Sequence, residues 1–218
     1  ARSLEIPAVM GLSEITGFVA NDQPLIVDGN RGVVIVDPDE ATLREFRGSQ
    51  EAWRQQERQL ADLRALPAET RDGKRVRLEA NIEVPEEMPS VLAHGADGVG
   101  LFRSEFLYIV PKRFPNEEEQ LSAYTRVLTA MPERSVIIRT LDLGGDKIIP
   151  GVAPKGESNP ILGWRAVRFC LSRPEIFKTQ LRALLRASVC GNLKIMFPMI
   201  SGVEELSSAL EVLEEVKV

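Results

Sequence analysis

The 218-residue sequence predicts an α/β fold that corresponds to the first half of a (β/α)8 TIM barrel and is preceded by a helical linker. One observation is the alternation of short apolar strands with amphipathic helices over four successive units after Gly73. Four such units predict a parallel sheet with right-handed crossovers, and four is half of an eight-stranded barrel. A second observation is a long charged stretch, residues 39–66, with one glycine and no proline.

The N-terminal part predicts a hairpin followed by a helix. Leu25–Asp28 and Gly32–Val36 are apolar runs joined by Gly-Asn-Arg, and glycine and asparagine tolerate the positive φ of a tight turn. The helix predicted over residues 39–66 is polar on most faces, which is typical of a helix that bridges two domains. The alternative is an ordinary surface helix of one domain. The sequence begins without a methionine, and we expect it to be a fragment.

The remainder predicts the strands and helices of the barrel half. The predicted strands are 76–82, 98–102, 136–140 and 193–199. The predicted helices are 85–94, 116–130, 163–171, 174–188 and 203–216. Half a barrel would leave its first and last strands with unpaired edges, which proteins normally cover or close. We therefore expect the isolated chain to self-associate, and two copies could complete each other.

Composition excludes several classes of function. A net charge of −5 and a pI near 5.2 argue against nucleic-acid binding, which usually needs a basic surface. No run reaches the ~18 apolar residues of a membrane helix, and the N-terminus lacks the apolar core of a signal peptide, so we expect no membrane contact and a cytoplasmic location. Cys170 and Cys190 lack the spacing of metal ligands and are interpreted as core thiols.

Arginines at the ends of predicted strands indicate an anion-binding site. Arg139 follows an apolar β-branched run, Arg103 ends the preceding strand, and Arg165 lies on a loop that enters a helix. Ligands of α/β sheets and barrels bind beyond the carboxyl ends of the strands, and a guanidinium presents a fork of donors to a carboxylate or phosphate. The alternative for Arg139 is an ion pair with Asp142 or Asp146. Three converging arginines would be electrostatically costly without an anion.

Four motifs together resemble enzyme I of the bacterial sugar phosphotransferase system, the phosphoenolpyruvate-protein phosphotransferases, including the enzyme I module of multiphosphoryl transfer proteins. The motifs are Gly98–Tyr108 (GVGLFRSEFLY), Ile138–Lys147 (IRTLDLGGDK), Asn159–Arg168 (NPILGWRAVR) and Met196–Met199 (MFPM). The resemblance covers essentially the whole chain. It implies that residues 1–38 are the tail of a swivelling phosphohistidine domain, 39–70 the helical linker, and 71–218 the N-terminal half of the phosphoenolpyruvate-binding barrel.

The resemblance also implies roles for particular residues. Arg103, Arg139 and Arg165 correspond to the substrate arginines of the family, while Lys147 and Asn159 are weaker candidates in the same loops. The acceptor histidine, the catalytic cysteine and the Mg²⁺ ligands of the family are expected outside this sequence. His94 is the only histidine, but it ends a predicted helix on the side of a barrel opposite the active site. Trp164 is interpreted as a core residue that could pack beside the site.

As an enzyme I, the parent protein would move the phosphoryl group of phosphoenolpyruvate to a histidine and on to the carrier protein HPr, with Mg²⁺ as cofactor, as a homodimer. The isolated chain is then expected to be inactive. A pyruvate phosphate dikinase or phosphoenolpyruvate synthase, which share this barrel, is the alternative within enzymes. A non-catalytic dimerisation or docking module is the alternative outside them.

Overall fold

The structure is a computed structural model that describes residues 6–111, 113–143 and 163–217. The chain divides into two compact units, Ala1–Pro67 and Ala68–Val218. No helix in the described ranges is both long and apolar enough to span a bilayer.

The first unit consists of a hairpin and a long helix. Its elements are α1 (Ile15–Phe18), β1 (Leu25–Asp28), β2 (Val33–Val36) and α2 (Glu40–Leu63). The two strands pair antiparallel, which confirms the predicted hairpin. Helix α2 begins at the predicted position because the Asp39 side chain accepts a hydrogen bond from the backbone N–H of Thr42 at 2.7 Å. The Arg31 guanidinium lies 5.0 Å from the Phe46 ring and so attaches the turn of the hairpin to this helix.

The second unit contains a four-stranded parallel sheet in the order β3-β4-β5-β6, which confirms the predicted parallel α/β arrangement. The strands are β3 (Glu79–Ile82), β4 (Gly98–Arg103), β5 (Ser135–Arg139) and β6 (Asn192–Met196). The helices are α3 (Met88–Ala93), α4 (Phe106–Ile109), α5 (Glu117–Ala130), α6 (Ala166–Ser172), α7 (Pro174–Ala187) and α8 (Val203–Glu215). Single 3-10 turns cover Pro85–Glu87 and Ser188–Cys190.

One face of the sheet packs against the helices. Along β5, Val136 and Ile138 are fully buried, whereas Ile137 and Arg139 are partly exposed, so the side chains alternate with the period of a strand. Strands β4 and β5 approach closely because Gly98 has no side chain: a Cβ there would lie 2.5 Å from the carbonyl oxygen of Ser135. The largest fully buried side chains on the helices are Tyr108, Tyr124, Leu128, Phe169, Phe177, Leu181 and Leu184.

Two strands are shorter than the sequence predicts. Strand β3 begins at Glu79 and not at residue 76, because the N–H of Leu78 donates to the Asp97 side chain and not to a neighbouring strand. Strand β6 ends at Met196 and not at residue 199. The chain beyond it contains Pro198, which lacks a backbone donor, and Met199 adopts a left-handed φ of 61°.

Candidate functional site

Two of the predicted arginines lie side by side at the carboxyl edge of the sheet. Arg103 is the last residue of β4 and Arg139 the last residue of β5, and the two are paired in register. The hydrogen bonds between β5 and β6 continue one residue beyond Arg139, because the N–H of Thr140 donates to the carbonyl of Met196 at 2.9 Å. Both arginines therefore lie at the carboxyl edge of the sheet, where parallel sheets bind ligands.

Arg139 is held by carboxylates on two sides. Its Nε and Nη2 donate to Oε1 of Glu105 at 2.9 and 2.6 Å, and its Nη1 lies 3.0 Å from Oδ2 of Asp142. The side chain is 17% exposed, and that of Glu105 is 6% exposed. Because three donor groups are fixed by two different carboxylates, the orientation of the guanidinium plane is fully determined.

Arg165 meets Arg139 at the same carboxylate. Its Nε and Nη2 lie 3.2 and 3.0 Å from Oδ1 of Asp142, and Nη2 also donates to the carbonyl of Asp142 at 3.2 Å. Arg165 directly precedes α6, and the next residue, Ala166, has a left-handed φ of 54° although it is not glycine. The turn into α6 thus places Arg165 beside the end of β5, and Asp142 bridges the two guanidinium groups.

Arg103 has a different partner. Its Nη1 donates to Oε1 of Glu83 at 2.6 Å, and its side chain is 42% exposed, compared with 29% for Glu83. Glu83 directly follows β3 at the same edge of the sheet. Arg103 is therefore tethered by the neighbouring strand, while Arg139 and Arg165 form a more buried pair.

The structure corrects the sequence argument that three converging arginines require an anion. Glu83, Glu105 and Asp142 supply three carboxylates for the three guanidinium groups, so the charges balance within the described residues. The ion pair of Arg139 with Asp142, considered above as an alternative, is present. Not every donor is used: in the described part of the chain, Nη2 of Arg103 and Nη1 of Arg165 have no hydrogen-bond acceptor.

Glu105 is the most buried ionisable group of the site. Burial raises the pKa of its carboxyl above the usual 4.5, and this effect outweighs the stabilisation of the carboxylate by Arg139. Its Oε2 is buried without a hydrogen-bond partner among the described residues. Glu105 therefore binds a proton more readily than an exposed glutamate.

Glu83 and Glu105 are partners of the arginines that the sequence motifs alone do not identify. A signal was present, because Glu83 follows β3 as Arg103 ends β4, and parallel strands bring such positions together. Glu105 lies two residues after Arg103 inside a quoted motif. Acidic residues that follow strand ends next to arginines are candidates for resident counter-ions.

The other candidates are placed as follows. Lys147 and Asn159 lie outside the described residues. Trp164 is partly buried and packs edge-on against the Phe169 ring, with centroids 5.0 Å apart. His94 is exposed at the end of α3, before β4 begins, and its Nδ1 lies 2.8 Å from the carbonyl of Ser90, in agreement with the predicted position at a helix end.

Both cysteines are free thiols, as predicted. Cys170 is buried in the core, and burial raises the pKa of its thiol to about 12. Cys190 is partly buried against the same core. In the ranges that the structure describes, no three His, Cys, Asp or Glu side chains are grouped so that they could hold a metal ion.

Comparison with protein families gives two matches. Residues 57–218 match the family model described as PEP-utilising enzyme, PEP-binding domain, and residues 1–32 match PEP-utilising enzyme, mobile domain. The first match covers the whole parallel sheet and its three arginines.

Curated relatives match the chain almost from end to end. The chain is 49% identical over 217 residues to the phosphoenolpyruvate-protein phosphotransferase of Bacillus subtilis (strain 168) and 47% identical over 215 residues to that of Staphylococcus carnosus (strain TM300). The protein of the same name from Priestia megaterium is 47% identical over 217 residues. The alignments cover 99 to 100% of this chain but only 38% of each relative.

Proposed function

Because this chain belongs to the PEP-utilising enzymes, we propose that it is part of a phosphoenolpyruvate-protein phosphotransferase in which Arg103, Arg139 and Arg165 bind phosphoenolpyruvate. The observation that carries the proposal is the meeting of Arg139 and Arg165 on Asp142, with Arg103 next to Arg139 in register. A site made of three guanidinium groups suits a small ligand that carries several negative charges.

The chemistry of the ligand fits these groups. Phosphoenolpyruvate has a carboxylate and a phosphate, and phosphoryl transfer is catalysed mainly by positioning the group and neutralising charge on its oxygens. Glu105 and Asp142 fix the Arg139 guanidinium before a ligand arrives, so little ordering remains to be done on binding. The unused donors of Arg103 and Arg165 would contact the anion.

Magnesium, which the family resemblance implies, does not fit the described residues. Each carboxylate of the site is paired with an arginine, and the described ranges contain no grouping of acidic, histidine or cysteine side chains that suits a metal. We propose that the Mg²⁺ ligands lie in the part of the relatives that this chain does not span.

The residue that accepts the phosphoryl group is also not found near the arginines in the described residues. His94 is exposed at the end of α3, while the arginines occupy the opposite, carboxyl edge of the sheet, so we propose an acceptor histidine outside this sequence and HPr as the carrier that receives the group. We further propose that residues 1–38 belong to the mobile domain, that 39–70 form a linker, and that 71–218 form half of a (β/α)8 barrel. The 218-residue chain alone should then be inactive. The whole protein would act in the cytoplasm as a homodimer.

The test uses a full-length protein that carries this sequence and follows phosphorylation of HPr by phosphoenolpyruvate. Arg139→Lys keeps the charge but loses the planar fork, and we expect kcat/KM for phosphoenolpyruvate to fall on the order of 100-fold. The matched control is Arg126→Lys, because Arg126 forms a 2.7 Å ion pair with Glu86 on the exposed surface. The control should stay within about twofold of wild type.

Two results would overturn the proposal. One is an Arg139→Lys protein with unchanged kcat/KM. The other is a wild-type protein that leaves HPr unphosphorylated but forms ATP and pyruvate from phosphoenolpyruvate and AMP. That reaction consumes pyrophosphate and releases phosphate in a dikinase, and it consumes phosphate in a synthase.

A further inference from the structure

A buried glutamine on α7 joins the ends of the two strands that carry arginines. The Oε1 of Gln180 accepts from the backbone N–H of Leu141 at 2.9 Å, and its Nε2 donates to Ser104 Oγ at 3.1 Å and to the Tyr124 hydroxyl at 3.0 Å. Ser104 Oγ in turn donates to the carbonyl of Arg139 at 2.7 Å. Gln180 is 1% exposed, and Ser104 and Tyr124 are fully buried.

The donors and acceptors of this cluster determine one orientation of the glutamine. The Leu141 N–H can only donate, so the carbonyl oxygen of Gln180 must face it. The Ser104 proton goes to Arg139 and the Tyr124 proton to Oε1 of Gln120 at 3.0 Å, which leaves lone pairs on both hydroxyls for the two N–H bonds of Gln180. One carboxamide thus has its acceptor and both its donors satisfied in the core.

Gln180 binds groups that lie next to the arginines of the candidate site along the chain. Ser104 follows Arg103 directly, and the Arg139 carbonyl together with the Leu141 N–H encloses Thr140. Leu141 precedes Asp142, the carboxylate shared by Arg139 and Arg165. Beyond Thr140, the described residues give the end of β5 no further ladder bond. The bonds of Gln180 and Ser104 therefore help to set its position, together with the Ala166 N–H, which donates to the Leu143 carbonyl at 3.4 Å.

We propose that Gln180 is a positioning residue of the arginine site, whose carboxamide holds the ends of β4 and β5 so that the three guanidinium groups can bind one anion. The proposal rests on the proposed function. In the described part of the chain, Gln180 forms no hydrogen bond to an arginine side chain. It acts through Ser104 and the backbone of residues 139–141.

A comparison of two buried substitutions separates positioning from general stability. Gln180→Leu removes the three hydrogen bonds of the Gln180 carboxamide. Tyr108→Phe removes one buried hydroxyl, which donates to Gln120 at 3.1 Å and is three hydrogen bonds away from Gln180. Both should lower the melting temperature. In the full-length protein we expect only Gln180→Leu to lower kcat/KM for phosphoenolpyruvate, by roughly 10- to 100-fold, since small displacements of positioned groups have effects of this size.

A second measurement uses the full-length protein without substrate. The Arg139 Nε–H donates to Glu105 in a buried ion pair and should give a resolved signal in ¹H–¹⁵N spectra, which Arg139→Lys identifies by removing it. We expect Gln180→Leu to shift or broaden this signal and Tyr108→Phe to leave it unchanged. Ser104→Ala should act like Gln180→Leu, and Ser104→Thr, which keeps the hydroxyl, should restore the wild-type signal.

The outcomes distinguish the two proposals. If Arg139→Lys lowers kcat/KM but Gln180→Leu does so no more than Tyr108→Phe, positioning by Gln180 is wrong. An Arg139 signal that is unchanged in a folded Gln180→Leu or Ser104→Ala chain also overturns it. If Gln180→Leu shifts the signal while neither it nor Arg139→Lys changes kcat/KM, Gln180 does position Arg139 but the proposed substrate site is wrong.

Discussion

At the scale of single residues, two opposing effects act on the pKa of Glu105. Its carboxyl is bound by Arg139, which favours the charged form, and it is buried, which favours the neutral form. Burial is the larger influence and raises the pKa above the unfolded value of 4.5. Between these two pKa values the folded protein binds more protons than the unfolded chain, so this residue lowers stability as the pH rises.

Glu105→Gln should therefore alter the pH dependence of stability. The variant cannot ionise at this position, so the free energy of unfolding of variant minus wild type should become more positive as the pH rises from 4.5. Urea unfolding at pH 5 and pH 8 measures this difference. A difference that stays constant, or changes with the opposite sign, would contradict the assigned direction of the pKa shift.

Glu205→Gln is the control for this measurement. The backbone N–H of Ser201 and the Arg168 guanidinium lower the pKa of Glu205 to about 2. Its stabilising contribution is complete above pH 4.5 and is lost only as the pH falls towards 2. The difference between this variant and wild type should consequently be constant between pH 5 and pH 8.

The sequence indicates the arginines of the site but not Gln180, which supports them. Arg103 and Arg139 can be predicted from the sequence because each follows a short apolar run that is typical of a buried strand. Gln180 occupies the buried face of α7 between Phe177 and Leu184, and a polar residue in such a stripe does signal a buried hydrogen-bond partner. The identity of that partner depends on residues 39 and 76 positions away, which only the tertiary structure brings together.

At the scale of elements, α5 shows how local sequence fixes a boundary. Asn116 Oδ1 accepts from the N–H of Glu119 at 2.9 Å, and Glu119 Oε2 accepts from the N–H of Asn116 at 2.8 Å, which forms a capping box. The helix ends at Ala130, as the sequence predicts. Its inner face contributes Tyr124, Val127 and Leu128 to the core.

Asn116→Ala should lower the free energy of unfolding of the second unit by about 1 kcal/mol, because a backbone N–H of the first turn loses its acceptor. Asn116→Asp keeps an acceptor oxygen and adds a favourable charge at the helix N-terminus, so its stability should stay close to wild type. Urea unfolding monitored by circular dichroism compares the three proteins. Equal losses in both variants would show that the acceptor oxygen at residue 116 is not the source of the stabilisation.

The bounds of a helix or strand could be predicted where its hydrophobic period ends at a residue that starts or stops such an element, such as glycine, proline or a capping asparagine. Strands β4 and β5 and helices α5 and α7 agree with the predicted ranges to within a residue or so. The short helix α4 was missed because four residues give no helical period. The late start of β3 was missed because Leu78 bonds to Asp97, a contact with the next βα unit that no local pattern shows.

At the scale of the whole molecule, the parallel sheet has two open sides. Strands β3 and β6 each pair with one neighbour only among the described residues, and an unpaired parallel edge invites pairing with another chain. The proposed barrel half accounts for this arrangement, because further strands would pair with both edges.

The 218-residue chain should self-associate through these edges. Light scattering after size exclusion, over a hundredfold range of concentration, should show a mass that rises with concentration. Val189→Lys tests the competing cause, since Val189 is 87% exposed and could associate by its apolar surface. This variant should associate like wild type. A constant monomer mass at high concentration would contradict the prediction.

The carboxylate of Asp142 couples the effects of substitutions at three positions, residues 139, 142 and 165. A neutral residue in place of Asp142 would leave two neighbouring cations without their common anion, and loss of either arginine would leave the other with the whole carboxylate. Substitutions at these positions are thus not independent, and each alters the cost of the next. The effect of a substitution at residue 139, 142 or 165 therefore depends on which residues occupy the other two positions.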